Sequence, residues 1–235
     1  MMDDEIDIQP WPVLELIGRA VALTSVAQRG LIEMDDDSDV FTRETDRFEL
    51  STWARTELTN WITDAELAIL NTPIGNLSDE QLLGADEALY AAGAVAWALR
   101  AVRDEYMPVP DSDAFNAAVM AWAPGPWDQV RKLQKQVRLR SDEDLAGERE
   151  RMELWYWRGG DVSAEDLVDV VAEIEAADLM PTVNGDLAVG GGIAFGSLSE
   201  DEQDEITWIA EQRLRALNWV CGFGDSWETA PLEID

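Results

Sequence analysis

Apolar side chains recur along most of this chain at the three- and four-residue spacing of helices with one buried face, with polar residues between them. Read this way, the sequence predicts helices over approximately 11–31, 43–61, 63–71, 78–105, 111–122, 126–139, 141–158, 163–178 and 199–221. Several starts are marked by side chains that can satisfy the free N–H groups of a first turn. Thr63 with Glu66, Ser78 with Gln81 and Ser199 with Glu202 have capping-box spacing. Ser141 and Ser163 are each followed by acids that suit the positive end of a helix dipole. Pro126 suits a first helical turn, and the Pro108–Pro110 stretch breaks the pattern.

One segment departs from helical spacing. Thr182-Val183 and Leu187-Ala188-Val189 flank Asn184-Gly185-Asp186, the turn chemistry of a tight hairpin. Gly190-Gly191-Gly192 then leads into Ile193-Ala194-Phe195. A phosphate-cradling loop would need a preceding long strand and a Gly-Lys-Ser/Thr ending, and neither is present. The expected fold is therefore mainly α, a single multi-helix domain with one small β-hairpin near 182–195. No internal repeat emerges. The natural division is 1–42, an N-terminal helix and acidic loop, followed by a helical domain over 43–235, the two forming one compact unit.

Charge changes the picture more than length does. The 235 residues carry 17 Lys plus Arg against 49 Asp plus Glu, a formal net charge of −32, while 46% apolar content supports a real core. A field of that sign repels phosphate backbones and anionic lipid, so neither nucleic acid nor membrane is an expected partner. The one basic cluster is Arg131, Lys132, Lys135, Arg138 and Arg140. It reads as a solvated helical face, with Arg131, Lys135 and Arg138 at i, i+4, i+7, and no aromatic interleaves it for base stacking. The acidic start lacks a signal-peptide pattern, and the longest nearly apolar run, 88–99, is about half a bilayer span. With a single cysteine, Cys221, the expectation is a soluble cytoplasmic protein.

The absence of histidine removes histidine-based triads and imidazole metal ligands. Cys221 reads as a small core residue rather than a nucleophile. Asp35, Asp37 and Asp39 have the odd-position spacing of a calcium loop, but Val40 stands where the turn needs glycine and Asp46 where a glutamate is usual. No metal and no cofactor is expected. The 11 tryptophans read chiefly as packing residues. Trp155 and Trp157 point about 200° apart on a helix, so one faces inward and the other a second layer or cleft.

Three segments resemble a bacterial family known as domain of unknown function 4272. They are Leu139-Arg140-Ser141 with the acidic helix ending at Trp157, Leu187-Ala188-Val189-Gly190-Gly191 leading to Leu198-Ser199, and Arg213 to Trp219 followed by Trp227. Ala96-Trp97-Ala98-Leu99 fits the same pattern. The resemblance spans about 43–230 and implies a mainly helical domain without an established activity. This chain departs from the family at polar positions. Leu154-Trp155-Tyr156-Trp157 replaces an Arg-Leu-His-Trp run, Gln212 stands for a glutamate, and Tyr90 stands for an acid. Any site those groups formed elsewhere is eroded here.

Arg213 is singled out by its phase. It projects from the side of the last helix that carries Ile206, Ile209, Ala210, Leu217 and Val220, while Trp208, Glu211, Arg215 and Trp219 take the other. A guanidinium there needs a carboxylate, with Asp86 the first candidate and Glu87 the second, or a polar cavity. Asp86, Tyr90, Gly93 and Trp97 share one stripe of the central helix. Together with the segments above, the candidate binding residues are Asp86, Tyr90, Trp97, Arg140, Trp157, Arg213, Asn218 and Trp219; no catalytic residue is assigned. The leading functional expectation is a non-catalytic binding or interaction protein that engages a basic partner. The alternative is a carboxylate-dependent enzyme acting on a small molecule in an aromatic cleft. High-salt adaptation would also account for the acidity.

Overall fold

A computed structural model describes residues 8–234. Most of the acidic start searched for a signal segment therefore lies outside the described residues. The order is α1 (Val13–Met34), α2 (Val40–Glu57), α3 (Asp64–Asn71), α4 (Asp79–Ala98), α5 (Asp113–Trp122), α6 (Asp142–Arg158), α7 (Ala164–Ala177), β1 (Thr182–Val183), β2 (Asp186–Val189), β3 (Ile193–Ala194) and α8 (Glu200–Val220). The fold is mainly α with one small antiparallel sheet, as the spacing of apolar residues implies.

The contacts group the chain into two compact units, one formed by 10–104 and 114–140 and the other by residues 8–9, 105–113 and 141–234. This differs from a division at 42/43, and α1 is the reason. Every residue from Leu16 to Ala27 is buried, so α1 is a core helix of the first unit rather than an appendage. It packs chiefly on α4, where a Cβ at Gly30 would meet the Ala85 Cβ at 2.8 Å, so glycine opposite alanine allows the close approach.

All the capping expectations hold. Thr63, Ser78, Ser141 and Ser199 form reciprocal capping boxes, and Ser163 accepts from the Asp166 N–H. Beyond shifted helix ends, among them α2 at 40–57 rather than 43–61, two elements differ from expectation. First, α4 stops at Ala98 rather than running to 105. Arg100 adopts a left-handed conformation (φ 52°), its N–H bonds to Trp97 O, and the Ala101 N–H reaches Ala96 O. That is the Schellman termination, here without its usual glycine. Second, the expected helix 126–139 reduces to a 3-10 segment, Val130–Lys135. Its start is held from outside by Trp53 Nε1–H to Asp128 O and the Val130 N–H to Glu57, both 2.9 Å. Pro126 consequently does not open a helix, and Arg138 is outside any helical face.

In the second unit α6 packs against α8. The sheet order is β1-β2-β3, with Val183 opposite Asp186 and Val189 opposite Ile193. Asn184 and Gly185, both at positive φ (54° and 76°), make the tight turn between β1 and β2. The Gly190–Gly192 run carries β3 back onto β2. At the end of α8, Gly222 (φ 92°) closes another Schellman turn through Phe223 N–H to Asn218 O. A Cβ there would meet Gln9 O at 2.2 Å, so only glycine fits.

Candidate functional site

Arg213 is fully buried, as its helical phase implies. Its Nη1 donates to Pro108 O and its Nη2 to Asp111 Oδ1, both at 2.6 Å. The carboxylate that meets it is thus Asp111, which the sequence reading, with Asp86 first and Glu87 second, does not name. The Pro108–Pro110 stretch explains this. Read as a mere break between helices, it delivers both a carbonyl and the next carboxylate to α8. The void beside the pair, lined by Pro108, Asp111, Met152, Ile206, Ile209 and Arg213 among others, measures about 10 Å³. That is room for about one water. Within this unit Arg213 works as an internal tie.

Neighbouring polar groups are used the same way. Arg149 donates from Nε to Asn218 Oδ1 at 2.7 Å, and the Asn218 amide donates to Pro231 O and Leu232 O at 3.0 Å each. Asn218 therefore brackets α6, α8 and the carboxyl-terminal segment. Trp219, on the other side of α8 from Arg213 by phase, is also buried, edge-on against Trp227 with centroids 5.4 Å apart. Glu148, also buried, accepts from the Met107 N–H at 2.8 Å and pairs with Arg151 at 3.2 Å. Trp155 is buried against Phe195 and Trp157 half-buried, matching their opposite phases.

Arg158 and Asp186 form a two-pronged pair at 2.7 and 2.9 Å. Burial pushes the Asp186 carboxyl up, but the Arg158 guanidinium and the N–H groups of Gly196 and Leu187 outweigh it and hold it below the usual range. Burial pushes the Cys221 thiol up to about 12, as befits a core residue.

An open cleft of about 280 Å³ lies in this unit, lined by Val109, Arg151, Trp155, Met180, Pro181 and the strand-turn run Ala188–Gly192. No carboxylate lines it. Its one charged group, Arg151, is already matched by Glu148 and stacked on Tyr106 at 4.2 Å.

The remaining four candidates lie in the first unit. Asp86 is exposed, Tyr90 half-buried and Trp97 buried along α4. Arg140 lies flat over the Trp97 ring at 4.1 Å and donates to Trp97 O at 2.9 Å and Asp104 O at 2.5 Å. A cation at the carbonyl end of α4 opposes the helix dipole favourably, so Arg140 is a terminator of α4. The structure thus unites Trp97 with Arg140. The eight candidates divide between the units, Trp157, Arg213, Asn218 and Trp219 belonging to the second.

Sequence reasoning missed a run of exposed apolar side chains. Leu31 and Met34 on α1 and Val40, Phe41 and Phe48 on α2 are all solvent-exposed, Phe41 at 83% and Phe48 at 62%. The signal was available as Phe41 and Phe48 seven residues apart, on one side of a helix. Starting α2 at 43 instead of 40 left Phe41 in the loop. In the same stretch Asp36, Asp37, Asp39, Asp46 and Glu49 are exposed. The acids of the supposed calcium loop serve as turn and cap groups: Asp35 accepts from the Asp37 N–H and Asp39 from the Thr42 N–H. Among the described residues, no group of three or more ligands is placed to hold a metal ion, and no helix is long and apolar enough to cross a membrane. No family model, no curated protein and no solved structure matches the chain.

Proposed function

We propose that this chain is a non-catalytic interaction protein that engages a basic protein partner through its acidic surface. The observation that carries the reading is how folding sorts the charges. Arg19, Arg29, Arg47, Arg149 and Arg213 are buried on internal acceptors, and Arg140, Arg151 and Arg158 are half-buried. Among the described residues, Glu148 and Asp186 are the buried acids. The surface is therefore more acidic than the composition alone. Such a field accelerates encounter with a basic protein and disfavours nucleic acid and anionic lipid.

The alternative, a carboxylate-dependent enzyme, draws less support, because the cleft beside Trp155 has no acid in its lining. A cytoplasmic setting and kinship with domain of unknown function 4272 belong to the same proposal; the kinship rests on the quoted segments alone. The test is recovery of the tagged full chain from its own cells at low and high salt, with mass spectrometry of what accompanies it. A stoichiometric basic protein released by salt is expected. Recovery of the chain with no basic protein at low salt would overturn the reading.

A further inference from the structure

Resting on that reading, we infer that the exposed face formed by the end of α1 and the first half of α2 is the docking surface, and that its occupant is a basic, amphipathic helical segment of another protein. Three observations converge on it. Half of the chain's exposed large apolar side chains among the described residues fall between Leu31 and Phe48. Phe41 and Phe48 are not spill-over from the core, because α2 buries the opposite side through Leu50, Trp53 and Ala54. Phe41 and Phe48 stand two helical turns apart, about 10.5 Å along the axis, which is the spacing at which a helix presents successive anchors.

The second observation is rigidity. Arg43 donates from Nη1 to Glu33 O at 2.9 Å and so pins the start of α2 to the end of α1. Arg47 holds Glu44 at 2.6 Å and reaches Leu70 O at 3.3 Å, while Glu44 accepts from the Ile74 N–H at 3.1 Å. A platform fixed in this way loses little freedom when it binds.

The third observation is charge, and it selects the occupant. Both arginines of the segment are turned onto protein acceptors, whereas Asp36, Asp37, Asp39, Asp46 and Glu49 are exposed in the same stretch of chain. The segment therefore combines exposed aromatic anchors with exposed acids and no free cation of its own. A second copy of this chain would bring the same acids against them, and like charges opposed at an interface are costly. An anionic bilayer meets the same repulsion. A helix with leucine-like residues on one side and lysines or arginines flanking them matches both the anchors and the acids.

The test uses the full chain and a labelled lysine–leucine peptide of roughly five helical turns, with an isomer of identical composition whose leucines are scattered around the helix. Binding is read by fluorescence anisotropy. Wild type should prefer the amphipathic peptide by roughly tenfold or more, and the Phe41→Ser/Phe48→Ser double substitution should abolish that preference. Both positions are exposed, so the fold should survive, with circular dichroism as the check. Leu83→Ser, at an exposed apolar residue of α4, should retain the preference. If both peptides bind equally and the phenylalanine pair changes neither, this docking surface is overturned while the acidic-surface reading stands. If neither binds at low salt, both fail. A concentration-dependent dimer, or vesicle binding, that is lost on the same substitution would overturn the inference in favour of a second copy or a lipid surface.

Discussion

Arg213→Ala is the substitution whose cost the structure defines best. The guanidinium is fully buried and holds Pro108 O and Asp111 Oδ1 at 2.6 Å each. Truncation withdraws both donors and enlarges a void that now holds room for about one water. Breaking a buried pair by removing one partner costs about 3–5 kcal/mol. Asp111 retains 16% side-chain exposure, so water recovers part of its solvation and the lower half of that range applies. Arg215→Ala is the control. Its side chain is 47% exposed and 3.4 Å from Glu211, so it should cost under about 0.5 kcal/mol. Urea unfolding followed by tryptophan fluorescence and far-ultraviolet circular dichroism separates the two cases. The midpoint shift is interpreted only where the slope is unchanged, and separate transitions are fitted separately if the units melt apart. A double-mutant cycle with Asp111→Ala should give a coupling of about 1 kcal/mol or more. The reasoning fails if Arg213→Ala unfolds within about 0.5 kcal/mol of wild type, or if the cycle is additive.

Three further outcomes are expected. Because burial holds the Cys221 thiol up at about 12, a disulfide reagent at about pH 8 should react far faster with the unfolded chain than with the native one; equal rates would place the thiol at the surface. The Asp186 carboxyl is depressed in the folded state, so its contribution is present above its unfolded pKa and lost as pH falls through the folded value. Asp186→Asn should therefore flatten the acid limb of a stability–pH profile, and an unchanged limb would deny Asp186 that role. Finally, self-repulsion at a net charge of −32 should be screened, so melting temperature should rise from low salt to roughly 0.5–1 M sodium chloride. A flat or falling response would remove electrostatic strain from the folded state.

Local signals carried most of the fold. The capping boxes at Thr63, Ser78 and Ser199 and the Asn184-Gly185 turn are short-range chemistry, complete within four residues, and each is where the sequence places it. Tertiary contacts decided the rest. The end of α4 is set by a left-handed Arg100 and by Arg140 arriving from beyond the 3-10 segment. The segment 126–139 has helical periodicity but spends its polar groups on α2 instead. The burial of Arg213 was legible from its phase among Ile206, Ile209 and Leu217. Asp111 was not, since a partner 102 residues away leaves no trace in spacing. The same limit hid Arg149–Asn218 and Arg158–Asp186. Burial of Trp219 came from Trp227 in the following turn, which helix phase alone does not contain.

The central claim, that an acidic surface serves a basic partner, is tested most directly by native mass spectrometry of the untagged protein isolated gently from its own cells. The expected result is a species heavier than the 26.2 kDa chain, in which the added mass is a basic polypeptide that leaves as ionic strength is raised. A spectrum holding only the free chain at every ionic strength, or an acidic companion indifferent to salt, would contradict it.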